Sequence, residues 1–422
     1  MVKEADWTRR GVVGAGLTSL TLAATPSVAQ GAPPLRIGCG VALTGGLAVF
    51  GKIALLTWQM WAEDVNAKGG LLGRKVELVF YDDQSSPATV PAIYAKLLDV
   101  DKVDLVISGY ATTQIGAAMP TVIQRKKIFM ALFSLGGNER FKYPGFFQMQ
   151  PNGSDARREF SRGFLQTAAG LDPKPKTLAL VGADVEFVKV AFEGAHDNAK
   201  QFGFDIVFER TYPPNTIEFS SIVRTVKAAK PDLVYIGSYP PDSAGLVRAA
   251  HEVGFTSRLF GGGMIGLQSA ALKTQLGPLL NGIVSYDLYV PEPTMEFPGL
   301  KDVLDKYQSR AQREGLDPLG FYIVPLAYAE MQILEQAIRA TGSIEDAKLI
   351  DHVHKNAFQT VAGEIKFDQL GEWAEPRALL VQYQGVAGAD VEQFKQPGKQ
   401  VILYPPKLKS GDVRSPFAAG RP

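Results

Sequence analysis

The chain has 422 residues, 44 Lys and Arg against 43 Asp and Glu, and a formal net charge of +1; 46% of its residues are hydrophobic and 21% charged. That length exceeds one ordinary core and predicts two domains, while the composition excludes a disordered or membrane-embedded chain. Balanced charge without a basic run excludes nucleic acid as a partner, and a single cysteine, Cys39, excludes an internal disulfide.

The N-terminal stretch "WTRRGVVGAGLTSLTLAATPSVAQGAP" carries the twin arginines Arg9 and Arg10 and then no charge until Arg36. Its weakly apolar run ends in Ser27-Val28-Ala29, a small-x-small site suited to a signal peptidase. Residues 1–29 are expected to be a twin-arginine-like export signal, cleaved near Ala29 to leave a periplasmic protein. Cys39 belongs to the first strand rather than to a lipid anchor.

From Leu35 onward, strand-like apolar runs alternate with amphipathic helices. "LRIGCGVAL" precedes a helix near Phe50 to Ala67, "KVELVFYDD" one near Ala88 to Leu98, and "VDLVIS" one beginning near Gln114; "IFMALF" closes the series. After a pause at "YPGFFQMQPNGSD", a second series runs through "TLALVGAD", "FDIVFERTY", "PDLVYIGSY", "RLFGGG" and "GIVSYDLYV". This rhythm predicts two doubly wound α/β lobes with parallel sheets, whose βα loops share the carboxyl edge of each sheet. A helical block over 299–341 follows, then a hairpin-like stretch, "GEIKFDQLGEWAEPRALLVQYQ", and a Pro/Gly-rich tail from Pro405 expected to be flexible.

Catalytic constellations are scarce. The four histidines are dispersed, with His352 and His354 spaced i, i+2, so no metal site is expected. Neither a G-x-S-x-G elbow nor a Walker A loop occurs. The acids of "YDDQSS" suit a strand end better than acid/base chemistry. "GGGMIG" (Gly261 to Gly266) matches G-x-G-x-x-G, and Asp287 follows about twenty residues later, the spacing of a dinucleotide site. An NAD(P)-dependent oxidoreductase is therefore the alternative reading. It is disfavoured by a short intervening helix and by the motif's position deep in the second half, and no cofactor is expected.

Six loops at strand carboxyl ends remain: "LTGGLAVFG", "GYATTQ", "FSLGGNE", "GADVEFV", "GSYPPDS" and "GGGMIG". Ligands of open α/β sheets bind outside such ends. A helix N-terminus there presents unpaired N–H groups to an anion, and Thr112 and Thr113 add hydroxyls to the same place. Phe50, Tyr110, Phe133, Phe187, Tyr239 and Met264 supply an aromatic, apolar lining.

The stretches "LRIGCGVALTGGLAVFGK", "WAEDVNAKGGLLGRKVELVFYDDQSSPATV", "GYATT" and "GSYPPDSAGLVRAAHEVGF" together resemble the type I periplasmic solute-binding proteins of ABC importers, in the leucine/isoleucine/valine-binding branch. The resemblance implies two lobes joined by a three-strand hinge, capture of a small-molecule ligand by closure, membrane permease subunits as partners, and no enzymatic activity. A ligand-sensing regulator on the same fold is a further alternative, disfavoured by the export signal. Lobe I is expected over 30–150 plus 288–361 and lobe II over 151–287 plus 362–404. Carried over by motif, the ligand contacts are Phe50, Thr112, Thr113, Ser134, Leu135, Gly136, Phe187 and Tyr239, and the apolar lining adds Tyr110 and Met264. Where amino-acid binders carry an acid to grip the ammonium, at about Gly263, this chain has only glycines and Met264. The expected ligand is therefore amino-acid-like or, better suited to this lining, a hydrophobic or aromatic carboxylate.

Overall fold

The structure, a computed structural model, describes residues 32–214 and 216–419. The expected export signal and its cleavage site lie outside the described residues.

The first series alternates as predicted: β1 (Leu35–Val41), α1 (Ala48–Ala67), β2 (Val76–Asp82), α2 (Val90–Asp99), β3 (Leu105–Ile107), α3 (Thr112–Gln124), β4 (Phe129–Ala131) and β5 (Phe146–Gln148). Its five strands form a parallel sheet in the order β2-β1-β3-β4-β5. β1, β3 and β4 are buried on both faces, which is why they read as unbroken apolar runs. β5 falls in the stretch read from sequence as a pause.

The second series comprises α4 (Ala156–Ala169), β6 (Thr177–Ala183), α5 (Glu186–Phe202), β7 (Asp205–Tyr212), α6 (Ser220–Ala228), β8 (Leu233–Ser238), α7 (Pro240–Glu252), β9 (Thr256–Ser257), β10 (Leu259–Met264), α8 (Ala270–Leu276) and β11 (Val284–Asp287). The chain then returns to the first sheet with α9 (Leu300–Glu314), α10 (Val324–Thr341) and α11 (Asp346–Lys355). α10 lies along α1: Trp58 Nε1 donates to Glu330 Oε2 at 3.0 Å and Trp61 Nε1 to Glu335 Oε2 at 3.1 Å. Asp346 at the head of α11 pairs with Lys127 at 2.6 Å. A hairpin of β12 (Ala357–Thr360) and β13 (Gly363–Lys366) follows.

β14 (Leu379–Tyr383) and β15 (Gln400–Tyr404) complete the second sheet, whose order is β15-β14-β11-β10-β8-β6-β7. β14 runs antiparallel to β11 and β15 antiparallel to β14. The backbone crosses between the sheets three times: after β5, after β11 and before β14. The crossings are tied together. Gln148 N donates to Gly371 O at 2.7 Å, Ala378 N to Pro151 O at 3.0 Å, and the Tyr286 hydroxyl joins Gln150 and Asn152 at 3.0 and 2.8 Å.

One expectation is corrected. "GEIKFDQLGEWAEPRALLVQYQ" is not a hairpin: GEIK pairs backward with β12, whereas LLVQY pairs with β11 and β15. The β12–β13 turn spans residues 361 and 362, and the two strands pair on either side of it. The tail is packed up to residue 419: β16 (Phe417–Ala418) pairs with β9, and Phe417 stacks on Phe260 at 4.8 Å with 16° between the rings. A buried aromatic anchor outweighs the Pro/Gly composition there.

Candidate ligand-binding site

The end of β3 approaches β1 so closely that a Cβ on Gly109 would lie 2.3 Å from Gly40 O. This glycine lets the chain turn at once into α3. The turn leaves Ala111 at φ 88°, ψ 143°, and no side chain caps the helix. The first-turn N–H groups of Thr112 and Thr113 thus face outward without an intrahelical acceptor. Thr112 is fixed differently from its neighbour: its Oγ1 accepts a hydrogen bond from Leu135 N at 3.1 Å, in the loop after β4. That bond occupies a lone pair and leaves the hydroxyl proton to donate.

Tyr110, Ala111 and Thr112 border a narrow cavity with Phe133 and Leu135, Gln150 of the first crossing, and Tyr322 ahead of α10. The opposite wall is Phe160 of α4, Phe187 of α5, Tyr239 before α7 and Ile265 after β10. The rings form two clusters. On one side Phe50 lies 4.9 Å from Tyr110 and 5.3 Å from Tyr322, which in turn lies 5.2 Å from Phe133. On the other, Phe187 packs edge-on to Tyr239 at 4.7 Å, and Phe160 lies 4.3 Å from Tyr286. The cavity is the gap between them.

Among the described residues no Asp, Glu, Lys, Arg or His lines it. The hydroxyls of Tyr110, Tyr239 and Tyr322 are held neutral because burial pushes their pKa values up. The nearby acid Asp242 turns to the Tyr212 hydroxyl at 3.3 Å, and burial raises its pKa to about 6. What remains is an aromatic cage with polar donors at one end. That arrangement can hold a flat apolar body by its rings and an anionic oxygen by N–H and O–H groups.

Residues 34–387 match the periplasmic binding protein family. The chain belongs to that family. Among its relatives, the leucine-, isoleucine-, valine-, threonine- and alanine-binding protein of Pseudomonas aeruginosa is 22% identical over 362 residues, 84% of this chain and 91% of that protein. A leucine-binding protein from Thermotoga maritima superposes with a TM-score of 0.70 at 20% identity, covering 83% of this chain and 96% of that one. A solute-binding protein of an ABC transporter from R. palustris, solved with benzoate, gives a TM-score of 0.70 at 17% identity over 88% and 95% of the two chains. These likenesses show the two-lobed fold.

Within this binding protein the ten sequence-predicted contacts fall into three groups. Tyr110, Thr112, Leu135, Phe187 and Tyr239 line the cavity. Thr113 and Gly136 line a wider outer depression with Arg140 and Glu186. Phe50, Ser134 and Met264 sit behind the lining. Phe50 is fully buried against the Tyr110 and Tyr322 rings. Ser134 bonds through its backbone to the Gln148 side chain. Met264 ends β10, its carbonyl accepting from Ser285 Oγ at 3.2 Å, and the next residue, Ile265, takes its place in the wall. Phe133 is a wall residue as anticipated. Ala111, Gln150, Phe160, Ile265 and Tyr322 were missed; three of them come from a crossing, a helix face and a loop ahead of α10, where no strand-end pattern marks them.

The dinucleotide alternative is not favoured. In "GGGMIG" the first three glycines lie inside β10 rather than in a strand-to-helix turn, and a Cβ on Gly261 would lie 1.9 Å from Val284 O. Asp287, expected to hold a ribose, is buried and accepts from Gln400 Nε2 at 3.0 Å. The acids of "YDDQSS" are structural. Asp82 accepts from Leu43 N and from the Thr44 hydroxyl, at 2.9 and 2.7 Å, and Asp83 accepts from Ser85 N at 2.8 Å.

Proposed function

We propose that this protein is an exported solute receptor of an ABC importer that captures a small aromatic or hydrophobic carboxylate and changes no bond in it. The lobes follow the sheets: residues 32–150 with about 288–374 form one, and 151–287 with about 378–419 the other. A ligand touching both ring clusters favours the state in which they face each other, so binding closes the hinge. The carboxylate meets the Thr112 hydroxyl and the head of α3, and the ring lies between Tyr110 and Phe133 on one side and Phe187 and Tyr239 on the other. Release then occurs to a membrane permease.

The observation that carries this reading is the uncharged lining with its six aromatic rings. An α-ammonium buried there without a carboxylate partner costs several kcal/mol. The amino-acid reading draws on the relatives' specificities and on Glu186, the carboxylate at the rim of the outer depression. Calorimetric titration of the purified protein with benzoate, phenylacetate and L-leucine separates the two. The aromatic acids should bind, leucine should bind at least tenfold more weakly (about 1.4 kcal/mol), and the bound acid should be recovered unchanged. Tighter binding of leucine, or conversion of the acid, would overturn the proposal.

A further inference from the structure

The hollow in the second lobe does not end at the ring cage. Beneath α4 lies a second, much tighter cavity, bordered by Glu159, Phe160, Phe164, Tyr235, Tyr286 and Tyr404 among others, which widens only if a lining side chain moves. Phe160 is the residue common to both linings, and its ring rests on Tyr286 at 4.3 Å. The Phe160 side chain therefore borders both spaces.

The second lining includes a residue with an unsatisfied group. Tyr235, at the centre of β8, is fully buried, and its hydroxyl has no hydrogen-bond partner among the described residues. Such a group destabilises the fold if left unpaired. The surroundings do not let it turn away. Its ring lies over Gly262, where a Cβ would be 2.4 Å from the ring carbons, and meets Phe164 edge-on at 5.3 Å. Gly262 holds φ +103°, so this glycine makes room for the tyrosine. The hydroxyl and the Phe160 ring edge each lie 3.2 Å from where a Gly263 Cβ would stand. The triple glycine thus serves to bring the Tyr235 hydroxyl up to the back of Phe160. The one acid of this space, Glu159, is already engaged by Arg162 at 3.0 Å and by the Tyr404 hydroxyl at 3.5 Å. A second carboxylate would be repelled by it, whereas a neutral hydroxyl would not.

We propose that the ligand site continues past Phe160 into this cavity, and that the ligand is an elongated aryl carboxylate whose far end carries a hydroxyl bonded to Tyr235. The inference rests on the aromatic-carboxylate reading of the cleft and extends it. Phe160 turns aside to admit the far end, and the Tyr235 hydroxyl gains the partner it lacks.

The test compares 3-(4-hydroxyphenyl)propanoate, 3-phenylpropanoate and benzoate by calorimetry on the wild-type protein and on Tyr235→Phe, with apo melting temperatures as the check on folding. In the wild type the hydroxylated acid should bind about tenfold more tightly than its unsubstituted partner. Tyr235→Phe should abolish that difference and leave benzoate unchanged. Phe160→Ala, which joins the two spaces, should raise the affinity of 3-phenylpropanoate relative to benzoate. Equal wild-type affinities for the two propanoates would mean that solvent satisfies Tyr235 and would overturn the extension, as would a Tyr235→Phe variant that weakens benzoate equally. If benzoate binds but the hydroxyl gains nothing, the extension alone fails; if no aromatic acid binds, the reading of the cleft fails with it.

Discussion

Replacing Thr112 by valine keeps the side chain's shape and removes only its oxygen. Two effects follow from the bond between Leu135 N and Thr112 Oγ1 at 3.1 Å. In the free protein the buried Leu135 N–H loses its acceptor, and an unpaired buried donor costs about 1–3 kcal/mol. In the complex the hydroxyl no longer donates to the ligand carboxylate, a charge-assisted bond of about 1.5–3 kcal/mol, which weakens binding about 10- to 100-fold. Thr113→Val is the matched control. Its side chain lines the outer depression rather than the cavity, so its affinity should stay within about threefold of wild type (about 0.6 kcal/mol). Calorimetry with benzoate reads the binding term, and thermal melting of the free proteins reads the stability term separately. A Thr112→Val protein that binds like wild type, or a larger loss from Thr113→Val, would refute the placement of the carboxylate at the head of α3.

Other consequences are equally open to measurement. Gly262→Ala forces a methyl against the Tyr235 ring at a positive φ and should destabilise the protein by about 2–5 kcal/mol, whereas Gly46→Ala, with open space around it, should be near neutral; equal urea midpoints would contradict this. Phe417→Ala removes the ring stacked on Phe260 and should cost about 3–5 kcal/mol, a loss that a loosely attached tail would not show. Burial raises the Asp83 carboxyl from an ordinary 3.8 to about 6. The folded state therefore holds this proton more tightly than the unfolded state, so its stabilising contribution is complete below about pH 3.8 and lost as pH rises through about 6. Urea midpoints from about pH 4 to about pH 7 should show a smaller decline in Asp83→Asn than in wild type, and an unchanged slope would count against it.

The parallel sheets were legible because strands buried on both faces, such as "VDLVIS" and "PDLVYIGSY", stand out as apolar runs whatever they pair with. Pairing itself was not legible at the C-terminal end. The halves of "GEIKFDQLGEWAEPRALLVQYQ" look like mates, yet each finds its partner elsewhere, and the segment between them is a crossing. α3 begins at Thr112 rather than near Gln114 because both threonines take helical positions in its first turn. Half of the candidate site was visible for the reason that made the fold visible: Tyr110, Thr112, Leu135, Phe187 and Tyr239 follow strand ends. Phe160, Gln150 and Tyr322 reach the cavity from elements whose local pattern shows only amphipathic helix or loop. Met264 was displaced by Ile265 because the side-chain direction at the end of β10 depends on where the strand stops, which sequence fixes only to within a few residues.

The most direct test of the clamp is a crystal structure of the protein with benzoate bound. The ring should lie between the Tyr110–Phe133 and Phe187–Tyr239 pairs, with a carboxylate oxygen within about 3.2 Å of the Thr112 hydroxyl. A carboxylate turned toward Gly263, or a benzoate seated anywhere outside the space between the two lobes, would contradict the account.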